Sequence, residues 1–378
     1  MDSLSKAVEN FGYNLLDKGL IPDWILRPVI RHLCKVRLNS LPLPEKGFTA
    51  HAGYKSQFVS SIRQLPSITA AGSTGKANEQ HYEVSTEFML SCLGPRAKYS
   101  ACLWEAEDAN GKKKKLKSLG EAEEAMMALY CLRASVKDGM EILDLGCGWG
   151  SLSLYLAEKY PNAKITGLSN SSTQKAYIDG VAHKKDLKNL TIITGDVTVF
   201  DFAGKQSFDR ILSIEMFEHM KNYELLLQKV STWLKLPSET LDGTEALLFI
   251  HIFCHRSTPY HFEDDDSWMA RTFFSGGTMA SHDLLLHFQS DVSLVQSWWV
   301  NGKHYGRTSE EWLKMQDRNI KTSIQNLEKD AKMKAMDKEE GRKAFFRFRI
   351  FFLACAEFFA LNNGEEWGVG HYLFKRKI

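Results

Sequence analysis

The chain has 378 residues, 44% of them apolar and 25% charged, the balance of a globular protein with one large domain or one domain carrying additions. A formal net charge of +2 gives no reason to expect nucleic acid or another polyanion as partner. Cys34, Cys92, Cys102, Cys131, Cys147, Cys254 and Cys355 are scattered without a CxxC pair, which points to reduced thiols rather than a disulfide framework or a zinc site, and no metal is expected.

Residues 1 to 40 read as helix, with apolar residues at helical spacing in "IPDWILRPVIRHLCKVRL" and a basic apolar face that should pack on the protein body. No run of eighteen apolar residues occurs, so no membrane span is expected, and charges interrupt what would be the apolar core of a signal peptide. A cytoplasmic protein is predicted. "SITAAGSTGKANEQ", residues 67–80, reads as a loop, and "GKKKKLKS", residues 111–118, as a solvated loop ahead of the amphipathic helix "GEAEEAMMALYCLRASVKDG".

From there strands and helices alternate. "MEILDLG", "AKITGLS", "LTIITGD", "FDRILSI" and "EALLFIHIF" read as strands, with helical periods between most of them. The pattern predicts an α/β fold with a parallel, doubly wound sheet. After about residue 258 it gives way to aromatic loops, two or three helices and a last strand-like "HYLFKRK". The expected division is an N-terminal helical and covering segment over residues 1–120, the core over 121–258, and a pocket-forming insertion with C-terminal helices over 259–378.

"ILDLGCGWGS" carries a strand into Gly146, Gly148 and Gly150 and then a helix, a turn where a ligand can approach main-chain N–H groups. The spacing is not the GxGxxG of a pyrophosphate turn, and the acid expected at the end of the second strand is replaced by "GLSNSSTQ". Asn170 would meet a ribose there, with Gln174 one helical turn on, and Asp196 ends the third strand where an adenine amine would lie. That set describes S-adenosylmethionine better than a nicotinamide dinucleotide.

The stretch "EILDLGCGWGSLSLYLAEKYPNAKITGLSNSSTQKAYI" resembles the class I methyltransferase core of cyclopropane-fatty-acid synthases and plant coclaurine-type N-methyltransferases. "HYEVSTEFMLSCLGPRAKYSACLW" is similar to the cofactor-covering segment of both branches, whereas "EMFEHMKNYE", "WWVNGKHYGRTSEEWL" and "NNGEEWGVGHYLFKRK" are similar to the coclaurine type. The resemblance covers about residues 20 to 378. It implies a Rossmann-like core with helical N- and C-terminal additions, and a cofactor site of Ser100, Gly146, Gly148, Asn170, Gln174, Asp196, Val197 and Ile214.

Glu215, Glu218 and His219 follow the fourth core strand, in "SIEMFEHM". If this is a first helical turn, all three share one face. An alkylamine is mostly protonated near neutral pH, so an amine methyltransferase must bind an ammonium, remove a proton and hold nitrogen in line with the methyl. Glu215 and Glu218 are read as amine anchors or orienters, and His219, titrating near neutral, as the leading general base.

The runner-up is the cyclopropane branch, which methylates an alkene with a bound bicarbonate as base; the resemblance gives Cys102, Glu218, His251 and Tyr305 as counterparts of its anion site. A non-enzymatic S-adenosylmethionine-binding protein is the remote third reading. Cys355, in "FFLACAEFF", matches a cysteine once proposed as catalytic in cyclopropane synthases, although buried packing suits it better. Phe262, Trp268, Phe273, Phe274, Trp298 and Trp299 are candidates for an aromatic amine pocket together with Cys102, His251 and Tyr305. The sequence thus predicts an S-adenosylmethionine-dependent N-methyltransferase, yielding S-adenosylhomocysteine, that acts on a small aromatic alkylamine or isoquinoline-type amine. It leaves monomer or homodimer open.

Overall fold

A computed structural model describes residues 12–69, 85–107, 113–204, 207–241, 243–262, 273 and 276–377. Helices α1 (Asp23–Ser40), α2 (Phe48–Arg63) and α3 (Thr86–Cys92) come first, followed by a ribbon of β1 (Glu105–Glu107) and β2 (Lys113–Lys115). The ribbon stands where the lysine run predicts only a loop. The first forty residues are not one helix either. Gly19 has a left-handed backbone (φ +65°) and Pro22 precedes α1, so the helical path is interrupted there. The predicted loop over 67–80 lies mostly outside the described residues.

The core follows the predicted alternation: α4 (Leu119–Arg133), β3 (Glu141–Leu145), α5 (Ser151–Lys159), β4 (Lys164–Ser169), α6 (Ser172–Lys184), β5 (Leu190–Thr194), β6 (Arg210–Ile214), α7 (Tyr223–Ser231) and β7 (Leu247–His255). Local chemistry sets its boundaries. Ser118 and Glu121 form a capping box at the start of α4, and the Asn222 side chain accepts from the Leu225 amide to start α7. β3 through β7 pair in parallel, in the spatial order β5-β4-β3-β6-β7. Order reverses between β3 and β6, and a ligand crevice opens beyond the carboxyl ends of strands at such a point.

The C-terminal third holds more strand than the sequence pattern reveals. Short β8 (Tyr260–His261) and β9 (Thr278–Ser281) join the end of β7, and β10 (Val292–Val300) forms an edge. Helices α8 (Lys303–Arg318), α9 (Ile320–Met333) and α10 (Lys338–Ala360) pack on one another before β11 (Trp367–Arg376) returns antiparallel between β10 and β7. The register of β11 on β7 sets His371 opposite His251. α1 is tied to this helical layer by Arg27, which pairs with both Glu310 and Glu357, and by Asp23 with Arg349.

Asp144 of β3 is buried beneath the glycine turn and accepts a 2.6 Å hydrogen bond from the Ser153 hydroxyl of α5. Burial raises its carboxyl to about 6. Because the folded value lies above the unfolded one of about 3.9, this group's stabilising share is complete below about pH 4 and is lost as pH rises through about 6. Asp144→Asn should therefore flatten the fall in Tm between about pH 4 and pH 6 relative to the wild type. Parallel melting curves across that range would show no such difference if the carboxyl were an ordinary one.

Candidate active site

The glycine turn after β3 has three left-handed backbones, Gly146 (φ +82°), Gly148 (φ +51°) and Gly150 (φ +76°). A Cβ on Gly146 would lie 2.7 Å from the Met216 side chain, and one on Gly150 would lie 2.5 Å from Ile178. A Cβ on Gly148 would meet nothing within 4 Å. Gly148 instead borders two adjoining cavities. The first is lined by Gly146, Asn170, Gln174, Asp196, Val197, Glu215 and His219 among others. The second is lined by Lys98, Ser100, Tyr130, Gly146, Ile214 and Glu215 among others.

All eight cofactor positions expected from the sequence therefore line one cavity or the other. Gln174 accepts from the Ser169 hydroxyl at 2.7 Å, while its amide nitrogen is buried with no hydrogen-bond partner. A buried orphan donor in a cavity wall is the mark of a missing ligand acceptor. Asp196 holds the Thr198 amide and hydroxyl through one oxygen, both at 2.8 Å. These residues fit a nucleoside with an amino acid tail.

The Glu215–His219 segment departs from the helical-turn expectation. Only Phe217–His219 turn, as a 3₁₀ helix, and Glu215 precedes it with a left-handed backbone (φ +50°). The three side chains thus leave in different directions. Glu215 stands at the seam of the two cavities. Its Oε1 accepts from the Ala101 amide (2.8 Å) and from His251 Nε2 (3.0 Å), and its Oε2 accepts from the Tyr305 hydroxyl (2.7 Å). A carboxylate has about four lone-pair sites, so one remains for a ligand. Burial raises the Glu215 pKa, and the nearby Lys98 ammonium works against that rise.

Glu218 turns into the core, where its Oε1 accepts the Phe253 amide at 3.1 Å and its Oε2 has no partner. Burial, and then the charge of Glu215, push its carboxyl well above the usual range. His219 lines the first cavity, but the reading of it as a near-neutral titrating group is corrected: burial pushes its imidazole down to about 4, with Glu215 opposing.

Of the other candidates, Tyr305 stacks on Phe359 with ring centroids 4.2 Å apart, and Phe359 meets Phe253, which meets Phe262. Cys102 is buried and donates weakly to the Ser100 carbonyl at 3.6 Å; its thiol is raised to about 12 by burial. Cys355 is buried in α10, and burial raises its thiol too, so it is no activated nucleophile. Phe273 stacks on Phe351 at 4.4 Å and belongs to the core. Trp298 and Trp299 are not brought to the site. They sit on β10, where successive side chains face opposite ways, Trp298 under the Arg133 guanidinium and Trp299 against His282. Trp268 and Phe274 lie outside the described residues. Sequence reasoning missed Lys98, Ala101, Phe253 and Phe359, which carry no motif of their own.

Comparison with known proteins matches residues 71–362 to the family of mycolic acid cyclopropane synthetases. Over 373 residues the chain is 37% identical to (S)-coclaurine N-methyltransferase of Thalictrum flavum subsp. glaucum, covering 96% of this chain and 94% of that one. It is 38% identical over 366 residues to the pavine N-methyltransferase of the same plant, covering 96% and 95%. The crystal structure of coclaurine N-methyltransferase bound to N-methylheliamine and S-adenosylhomocysteine superposes with a TM-score of 0.85 at 37% identity, covering 98% of this chain and 99% of that one. The chain belongs to the coclaurine-type N-methyltransferases.

As a member of that family it is an S-adenosylmethionine-dependent N-methyltransferase with a class I methyltransferase fold. Among the described residues no cluster of metal-binding side chains occurs, and no helix is long and apolar enough to cross a membrane. The two cavities give this N-methyltransferase a clean test of its cofactor site. Asparagine tolerates a left-handed backbone, so Gly148→Asn should fold with little change in Tm while placing a side chain at the seam. Calorimetric titration with S-adenosylhomocysteine should show binding weakened at least about tenfold, or about 1.4 kcal/mol. Unchanged affinity would place the cofactor elsewhere.

Proposed function

We propose that the methyl acceptor is a small aromatic alkylamine or isoquinoline-type amine held as its ammonium by Glu215. The carrying observation is the Glu215 carboxylate itself, buried at the cavity seam, fixed by three donors and with one acceptor site to spare. Tyr305, Phe359, Phe253 and Phe262 form an aromatic run beside it. Rings and a carboxylate together suit a cation carried on an aromatic frame. The substrates in the relatives' names, coclaurine and pavine, and the N-methylheliamine of the superposed crystal structure are consistent with that class.

S-adenosylmethionine, when bound, supplies a methyl on a sulfonium open to in-line displacement. The protein's task is to deliver an amine lone pair. Glu215 draws in the ammonium and fixes its nitrogen. His219, pushed to about 4, is unprotonated through the working pH range and receives the proton transiently. Desolvation of the bound ammonium favours loss of its proton, and the Glu215 charge works against that loss. The imidazolium so formed stays beside Glu215, whose charge favours it. Burial and the charge of Glu215 both work against ionisation of Glu218, so Glu215 is the anchor of the pair.

The cyclopropane reading needs Tyr305 and His251 to hold a free anion. Here both donate to the Glu215 side chain instead, so the chain's own carboxylate fills that cage. The geometry favours amine chemistry.

Labelled S-adenosylmethionine should transfer to secondary or tertiary aralkylamines and not to unsaturated phospholipid vesicles, with product masses raised by about 14. Label in lipid alone would overturn the proposal. His219→Ala should lower kcat/KM about 10²–10⁴-fold without moving the acid limb of the pH profile, since the wild-type imidazole is already unprotonated there. Wild-type rates in His219→Ala across pH 6 to about 9 would remove the proton-accepting role.

A further inference from the structure

Behind Glu215 a line of hydrogen bonds crosses the sheet. His251 Nε2 meets Glu215 Oε1 at 3.0 Å, His371 Nε2 meets His251 Nδ1 at 2.8 Å, and an Arg133 guanidinium nitrogen meets His371 Nδ1. Both histidines are completely buried. Arg133 closes α4 and lines a groove with Arg210 and Leu247, the residues that open β6 and β7, whereas Glu215 follows the other end of β6. Its guanidinium stacks on Trp298 at 4.7 Å, and among the described residues no carboxylate pairs with it.

The chemistry of arginine settles the direction of every link. A guanidinium only donates, so His371 Nδ1 must accept. His371 then carries its proton on Nε2 and donates to His251 Nδ1. His251 in turn carries its proton on Nε2 and donates to the Glu215 carboxylate. The Tyr130 hydroxyl lies 3.0 Å from the same His251 Nδ1 and so shares this acceptor with the His371 N–H. Burial holds both imidazoles well below their usual pKa, consistent with one N–H on each.

We infer that Arg133 is a positioning residue for methyl transfer, acting through His371 and His251 to keep an N–H aimed at Glu215 and the carboxylate ionised for an ammonium. The inference rests on the reading of Glu215 as the ammonium anchor. Without the guanidinium, His371 is free to move its proton to Nδ1, His251 must then reverse, and Glu215 faces a bare imidazole lone pair. Its carboxylate would lose a donor where burial already favours the protonated form. The other titratable groups that bear on the relay are Lys98, Cys102, Tyr130, Glu218, His219, Tyr305 and Cys355, all of which stay in place.

Two measurements test this. In the wild-type protein, ¹⁵N-histidine spectra should show His251 and His371 both neutral and protonated on Nε2; an Nδ1–H tautomer at either position overturns the inference even if no variant folds. In Arg133→Met the acid limb of kcat/KM should move up by about one pH unit, a loss of about tenfold on that limb with the plateau retained, and Arg133→Lys should keep the wild-type limb. A uniform loss at every pH with an unmoved limb means a structural role and overturns it. Glu215→Gln separates the two claims. Full amine turnover in that variant sinks the anchor reading while the tautomers stand, whereas an inactive Glu215→Gln beside an unmoved Arg133→Met limb sinks only the relay.

Discussion

A carboxylate taken out of water is the constraint around which the site is arranged. Removing the charge of Glu215 from solvent costs several kcal/mol unless donors replace the lost water. The replacements come from distant parts of the chain: Ala101 before the ribbon, His251 on β7 and Tyr305 on α8. Hydrogen bonds to a charged group contribute about 1.5–3 kcal/mol each, so three of them can offset a penalty of that order. The segment that carries Ala101 is itself pinned to α8 by Thr308, which accepts from the Cys102 amide and the Trp104 indole. The covering segment, the core sheet and the C-terminal helices thus meet at one side chain.

That convergence explains why the glycine-turn half of the site was easier to read in the sequence than the half around Glu215. Gly146, Gly148 and Gly150 form a local turn whose backbone angles require glycine, so the motif and the geometry carry the same information. Asn170 and Gln174 follow the next strand within a single turn of helix, and Asp196 follows the third. The half around Glu215 depends on pairings across long separations, such as the 114 residues between Ala101 and Glu215, which no window of sequence displays. His371 could be seen only once β11 was known to lie against β7.

The misreadings have physical causes as well. Glu215, Glu218 and His219 have helical spacing, but the left-handed backbone at Glu215 takes it off the helical path before the turn begins. Trp298 and Trp299 looked like pocket residues by composition, yet an edge strand sends neighbours to opposite faces, and neither face of β10 borders the cavities. His219 was assigned an ordinary imidazole titration. Desolvation lowers an imidazole and raises a carboxyl, so burying the cluster inverts the order of basicity that free side chains would have.

The left-handed backbone at Glu215 also bears on what else the position could hold. Glycine occupies such a conformation at less cost than a residue with a Cβ, so the scaffold here is one that would accept glycine readily. Exchanging the two needs no rearrangement of the turn and converts a filled cage into a hollow ringed by an amide, an imidazole and a phenol.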